Sequence, residues 1–299
     1  MSDTVLQLAA LQQRVVQLET KNSKSVRHTK PKAAGKSKSS RKERVSLFTK
    51  VNVTGATVKQ QRFYSKLKPR HQLLPSLLAL INSLATPHKD IYEFGVFTGS
   101  RLVEFATVFK GFGNMYGFDS FIGFPTEQAG VYIPNTRWKK GGDSATAALE
   151  EWTGRNVTAI GNFIRGRIAT LSPTVASRTF FVEGYFNDSL TDALVRSTPF
   201  QPALLVDLDC DLYISTIQAL RWLLTYRILV PTSIVRYDDW QSKDRNATWG
   251  QFGSLWGQAL AHHEITREFG LTWRDLGRDT YQLVSIQEAD GWKRLRLGR

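Results

Sequence analysis

The sequence predicts a doubly wound α/β fold: a mostly parallel sheet with helices on both faces, closed by an antiparallel C-terminal hairpin strand. Three observations carry that expectation. Five short apolar runs (DIYEFGV, NMYGFD, TFFVEGY, ALLVDLD and TSIVRYDD) alternate with helical stretches, the spacing of βαβ units. ALLV and SIV are continuously apolar, as strands covered on both faces are. LTWRDL and TYQLVSI are separated only by Gly277, Arg278 and Asp279, a gap short enough for a hairpin.

The elements follow in chain order. In residues 4–19, Leu8, Leu11, Val15 and Leu18 form a stripe at alternating spacings of three and four, which predicts a short amphipathic helix over residues 1–20. Two heptads are marginal alone, so a frayed or docked helix and a homo-oligomer seam both fit. Residues 21–44 hold ten Lys/Arg, one Glu and almost nothing apolar. Such a segment cannot offset its ordering entropy, so residues 21–50 are expected to be a disordered basic linker. From residue 51 to 299 the texture is that of one folded domain. Lys59–Leu84 carries helical apolar spacing broken by Pro69 and Pro75, which predicts two short helices before the first strand. A further helix is expected from Ser100.

Charge is unevenly placed. The 299 residues carry a formal +14, of which residues 1–50 hold +9 and the last eight residues +4; residues 51–291 are at +1. The basicity therefore belongs to the two ends and says nothing of what the body binds. Residues 21–44 would attract phosphates by counterion release, giving non-specific nucleic-acid affinity, or act as a nuclear-localisation signal or a solubilising tail. A single cysteine, Cys210, excludes an internal disulfide and a zinc site built on several thiolates. No run of about 18 apolar residues and no secretory leader is seen, so the expectation is an intracellular, cytoplasmic protein without a membrane span.

Three constellations carry chemistry. In Ile91-Tyr92-Glu93-Phe94-Gly95-Val96-Phe97-Thr98-Gly99-Ser100 a strand ends in a carboxylate and glycines turn into a helix. Gly95 and Gly99 would let the backbone approach a ligand at a helix N-terminus. Phe97 stands where the dinucleotide fingerprint has its second glycine, and no Lys follows to make a phosphate loop. About 25 residues on, Gly117-Phe118-Asp119-Ser120-Phe121 ends a second strand in an acid. Such an acid binds ribose hydroxyls in nucleotide-type folds, or caps a turn. Third, Asp207-Leu208-Asp209-Cys210-Asp211 and Tyr237-Asp238-Asp239-Trp240 place five acids after two strands. Like charges that close need a cation or raised pKa values, and oxygen ligands suit Mg²⁺, Mn²⁺ or Ca²⁺. Asp211 could instead cap the helix that follows.

Taken together, EFGVFTGS, GFDSFIGFP, WKKGGDS, FFVEGYFNDSL, LLVDLDCDLYISTIQAL and SIVRYDDW resemble the class I S-adenosylmethionine-dependent methyltransferases. The narrower resemblance is to the macrocin-type, metal-dependent sugar O-methyltransferases. It spans roughly residues 88–287 in order, with DSFIGFP, GYFNDSL and DCDLYIST its most specific pieces. The resemblance implies a Rossmann-like fold. It puts Glu93, Gly95, Gly99 and Ser100 on the cofactor loop, and Asp119, with Ser120 beside it, at the ribose. It makes Asp209, Asp238 and Asp239 ligands of Mg²⁺ or Mn²⁺, with Asp209 also the base. The implied activity is O-methylation of a small hydroxylated substrate such as a sugar. Two departures are Asp207, where many relatives have His, and Asp-Cys-Asp in place of Asp-Gly-Asp.

The alternatives are an RNA or DNA methyltransferase, favoured by the basic tail, and an inactive nucleic-acid-binding body. Against the first, no [DN]-P-P-[YFW] segment occurs and Cys210 follows Asp209 rather than Pro. Against the second, Glu93, Asp119, Asp209, Asp238 and Asp239 are all present.

Overall fold

The structure, a computed structural model, describes residues 73–128, 138–242 and 255–287. The helix expected in residues 4–19, the basic run 21–44, the first of the two helices before the sheet and the basic C-terminal residues lie outside the described residues.

Seven strands form one sheet: β1 (Asp90–Phe94), β2 (Met115–Asp119), β3 (Thr179–Glu183), β4 (Ala203–Leu208), β5 (Ile234–Tyr237), β8 (Leu271–Asp275) and β9 (Thr280–Ile286). Their order is β3-β2-β1-β4-β5-β9-β8. The first five are mutually parallel, while β9 runs antiparallel to both β5 and β8. The C-terminal hairpin thus inserts its second strand next to β5 and leaves its first at the edge. A second sheet is a small antiparallel pair, β6 (Trp240–Ser242) with β7 (Leu255–Trp256).

Five longer helices flank the main sheet. On one face lie α1 (Pro75–Leu84), α2 (Ser100–Val108) and α3 (Val157–Leu171), packing Leu77, Ile81, Leu102, Phe105, Ile160 and Ile164 against Ile91, Met115 and Leu205. On the other, α4 (Tyr213–Thr225) and α5 (Gly257–Phe269) pack Ile217, Leu220, Leu223 and Ile265 against Tyr92, Phe94, Val206 and Leu208. Pro75 opens α1 rather than interrupting it, since a first-turn N–H has no intrahelical acceptor and its absence breaks no helical bond. Among the described residues no helix is long and apolar enough to cross a membrane.

Strand order reverses between β1 and β4, so the crossovers diverge there and leave a crevice at the carboxyl ends. Register places a charged row across the sheet just below it. Gly117, Glu93, Asp207 and Arg236 are lateral neighbours on β2, β1, β4 and β5. Two residues earlier the same strands present Met115, Ile91, Leu205 and Ile234, all fully buried. The sheet therefore turns from apolar to ionic within one pleat.

Charges buried this deeply persist only when paired. Arg236 donates through Nη1 to Asp207 Oδ1 and through Nη2 to Asp238 Oδ1. Arg101, in the first turn of α2, adds its guanidinium from the helical layer. Its Nε is 3.6 Å from Asp207 Oδ2, Nη2 3.2 Å from Asp238 Oδ1 and Nη1 2.7 Å from Glu104 Oε2. Replacing Arg236 by Met is expected to cost about 3–5 kcal/mol of folding free energy, because Asp207 is left buried with one pairing arginine. Equilibrium urea unfolding of the variant measures this, and a loss below about 1 kcal/mol would show that the row is not structural.

Candidate active site

At the switch point a cleft of about 330 Å³ opens, lined by residues from the ends of β1, β2, β3, β4 and β5. Of the cofactor and metal residues expected from the sequence, Glu93, Gly95, Ser100, Asp119, Ser120, Asp209, Asp238 and Asp239 line it. Gly99 does not.

Both glycines serve close approach of the chain to itself. Gly95 has φ +90°, and a Cβ there would lie 2.0 Å from the carbonyl oxygen of Asp209. Gly99 has φ +75° and faces the side chain of Ile164 on α3, which a Cβ would meet at 2.4 Å. The β1 loop is thereby pressed against the β4 loop on one side and α3 on the other. Phe97 adopts φ +49°, a left-handed conformation that costs a non-glycine residue about 1–2 kcal/mol. Asp119 holds it there. Its Oδ2 accepts the Phe97 N–H at 2.7 Å and its Oδ1 the Phe121 N–H at 2.6 Å. Asp119 thus joins the two loops. Burial raises its pKa, and these backbone bonds oppose the rise.

Glu93 is 1 % exposed and its Oε2 has no hydrogen-bond partner among the described residues. Burial first, then the charges of Asp207 and Asp209, push its pKa well up. A buried, unpartnered carboxylate oxygen beside a cleft suits a cationic ligand group.

Beyond it lie the aspartates. Asp209, Asp238 and Asp239 bring one carboxylate oxygen each within 4.8 Å of one another, and Glu93, Asp207 and Asp209 do the same. Arg101 and Arg236 pair with Asp207 and Asp238, which answers part of the repulsion expected from the sequence. The remaining acids have raised pKa values. Burial, then Asp238, Asp207 and Asp239, drives Asp209 well above the carboxylate range. Asp239 rises to about 6, chiefly through burial and then Asp238. Asp211 is raised by burial, by Asp239 and by Asp209. Asp211 is thus not the cap of α4: the N-cap position is Leu212, without a side-chain bond. The cap comes from Glu127, whose carboxylate accepts the N–H of Tyr213 at 2.8 Å and of Ile214 at 3.0 Å. An all-oxygen donor set with more negative charge than the two arginines balance is suited to a hard divalent ion.

Sequence reasoning passed over three contributors: Arg101, Arg236 and Gln258. Gln258 bonds the backbone on both sides of the acidic centre.

No family model matches the sequence and no curated protein does. Solved structures do. The calicheamicin methyltransferase CalS11 aligns over 86% of this chain and 99% of its own, with 18% identity and a TM-score of 0.50. An apo structure of CalS11, a TDP-rhamnose 3'-O-methyltransferase, covers 84% and 96% with 20% identity and a TM-score of 0.42. An O-methyltransferase from Bacillus cereus in complex with SAH covers 81% and 97% with 12% identity and a TM-score of 0.40. At such identity the likeness to CalS11 establishes the fold, a Rossmann-like sheet with an antiparallel C-terminal pair.

Raised carboxyl pKa values make a cation site visible in stability. Between about pH 4, where unfolded carboxyls titrate, and their raised values, the folded ion-free chain binds more protons than the unfolded chain. Its stability therefore falls as pH rises. We expect the melting temperature without divalent ions to drop between about pH 5 and pH 8, and Mn²⁺ to raise it more at the higher pH, because ligation needs ionised carboxylates. Scanning fluorimetry checks this. A melting temperature indifferent to Mn²⁺ at both pH values would contradict the site.

Proposed function

We propose that this chain is an S-adenosylmethionine-dependent O-methyltransferase whose acceptor is a hydroxyl of a small molecule such as a sugar, activated at a divalent ion. One observation carries the reading: the unpartnered carboxylate oxygen of Glu93 and the Asp209–Asp238–Asp239 cluster face the same cleft at the β1/β4 switch point. The shared fold with a calicheamicin methyltransferase supports it, as does the motif order from EFGVFTGS to SIVRYDDW.

Glu93 would face the cationic part of the cofactor, and Asp119 the ribose hydroxyls. Ser100 and Ser120 border the same side. Gly95 would border the cofactor, and Gly95 and Gly99 both let the loops of this side approach closely. Asp209, Asp238 and Asp239 would hold Mg²⁺ or Mn²⁺, which when bound lowers the pKa of a coordinated hydroxyl and fixes it in place. Asp209 would take the hydroxyl proton. Methyl transfer from a sulfonium is an in-line displacement, so positioning and electrostatics are the main contributions of the protein.

The charge of the cleft favours this acceptor class over a nucleic-acid backbone. Among the described residues, Glu93, Asp119, Asp143, Asp209, Asp211, Asp238 and Asp239 line it, with Arg101 as the basic residue. Phosphates near the reacting hydroxyl would meet that negative field.

Replacing Asp239 by Asn is expected to reduce metal-dependent methyl transfer to a sugar acceptor by about 100-fold or more. S-adenosylhomocysteine affinity, read by calorimetry, is expected to stay within about threefold, since Asp239 lies on the metal side. Full transfer activity of the parent chain in excess EDTA would contradict the metal assignment.

A further inference from the structure

We propose that Gln258 is a positioning residue of the acidic centre: it sets the separation of Asp209 from the Asp238–Asp239 pair and thereby the affinity for a divalent cation. This rests on the metal reading above. Gln258 sits in the first turn of α5 and is 0 % exposed. Its carboxamide is used at both ends. Oε1 accepts the N–H of Asp239 at 2.9 Å, and Nε2 donates to the carbonyl of Leu208 at 3.0 Å. Leu208 immediately precedes Asp209, and its carbonyl also accepts the Asp238 N–H at 3.0 Å.

One side chain therefore ties the backbone at the end of β4 to the backbone beyond the end of β5. Asp239 needs this tie, because β5 ends at Tyr237 and a partly buried N–H beyond the ladder needs an acceptor elsewhere. Three carboxylates whose oxygens approach within 4.8 Å repel one another until a cation arrives. Holding them preorganised needs a restraint on the two backbones that does not itself carry charge, and a neutral carboxamide with donor and acceptor both satisfied supplies one. The start of α5 is itself anchored beside the acids, since Gly257, the residue before Gln258, bridges to Trp240, the residue after Asp239.

The test uses the full chain, with Mn²⁺ as the probe and electron paramagnetic resonance of the free ion as the readout. S-adenosylhomocysteine affinity is read separately by calorimetry. Gln258→Met, close in size but without polar ends, is expected to weaken Mn²⁺ binding by about tenfold or more, with S-adenosylhomocysteine affinity within about threefold of the parent. Gln258→Asn, too short to span both partners, is expected to weaken it likewise and serves if Gln258→Met does not fold. Gln258→Glu, whose buried carboxyl is held protonated and keeps one donor and one acceptor, is expected to recover most of the affinity. Unchanged Mn²⁺ affinity in Gln258→Met or Gln258→Asn would overturn the inference. So would an equal loss of Mn²⁺ and S-adenosylhomocysteine binding in all three variants, which would make Gln258 a core residue only. Absence of Mn²⁺ binding by the parent chain would overturn the metal reading itself, and this inference with it.

Discussion

Arg236 and Arg101 closing on Asp207 is the interaction around which this domain is arranged. Asp207 is wholly buried in a central parallel strand, laterally between Glu93 and Arg236. A lone carboxylate there would carry a desolvation cost of several kcal/mol. The two guanidiniums make it tolerable, and because each also reaches Asp238, they fix the first residue beyond β5 as well. The ends of β1, β4 and β5, and the start of α2, are thereby locked into one ionic layer above an apolar core.

What the layer supports is a cleft with two unlike ends. Toward β2, Asp119 accepts backbone N–H groups from both Phe97 and Phe121, so the loops are shaped without further charge. Toward β5, acids accumulate beyond what the arginines answer, and burial raises their pKa values. Glu93 stands between the ends, part of the row yet with one oxygen unpartnered. A cationic cofactor group and a divalent ion would each relieve one of these electrostatic debts. That is the physical reason the two are proposed for the same cavity.

Local patterns foretold most of the architecture. Apolar runs gave the parallel strands and the two-strand C-terminal hairpin, and the acids at strand ends pointed to the cleft, since strand ends and switch points follow from the order of elements. Long-range pairings were harder to read. Arg236 within the apolar run SIVRY was itself a signal, because a cation in a buried strand implies a buried anion. Arg101 was another, since a basic residue in a first helical turn opposes the helix dipole unless acids lie near. α5 was not anticipated: it buries Gln258 and His262, polar residues that blur its apolar stripe. Gly95, read as room for a ligand, lines the cleft, and its missing side chain also makes room for the carbonyl of Asp209. No sequence spacing could disclose that contact, because the two residues meet only when β1 and β4 become neighbours.

One cavity is proposed to hold a cationic cofactor on its Glu93 side and a divalent ion on its aspartate side. Anomalous diffraction from crystals grown with S-adenosylhomocysteine and Mn²⁺ tests it most directly. A manganese peak is expected among Asp209, Asp238 and Asp239, with S-adenosylhomocysteine density against Glu93 and Asp119. Cofactor density in that cleft with no manganese peak at the three aspartates, or a peak elsewhere in the molecule, would contradict it.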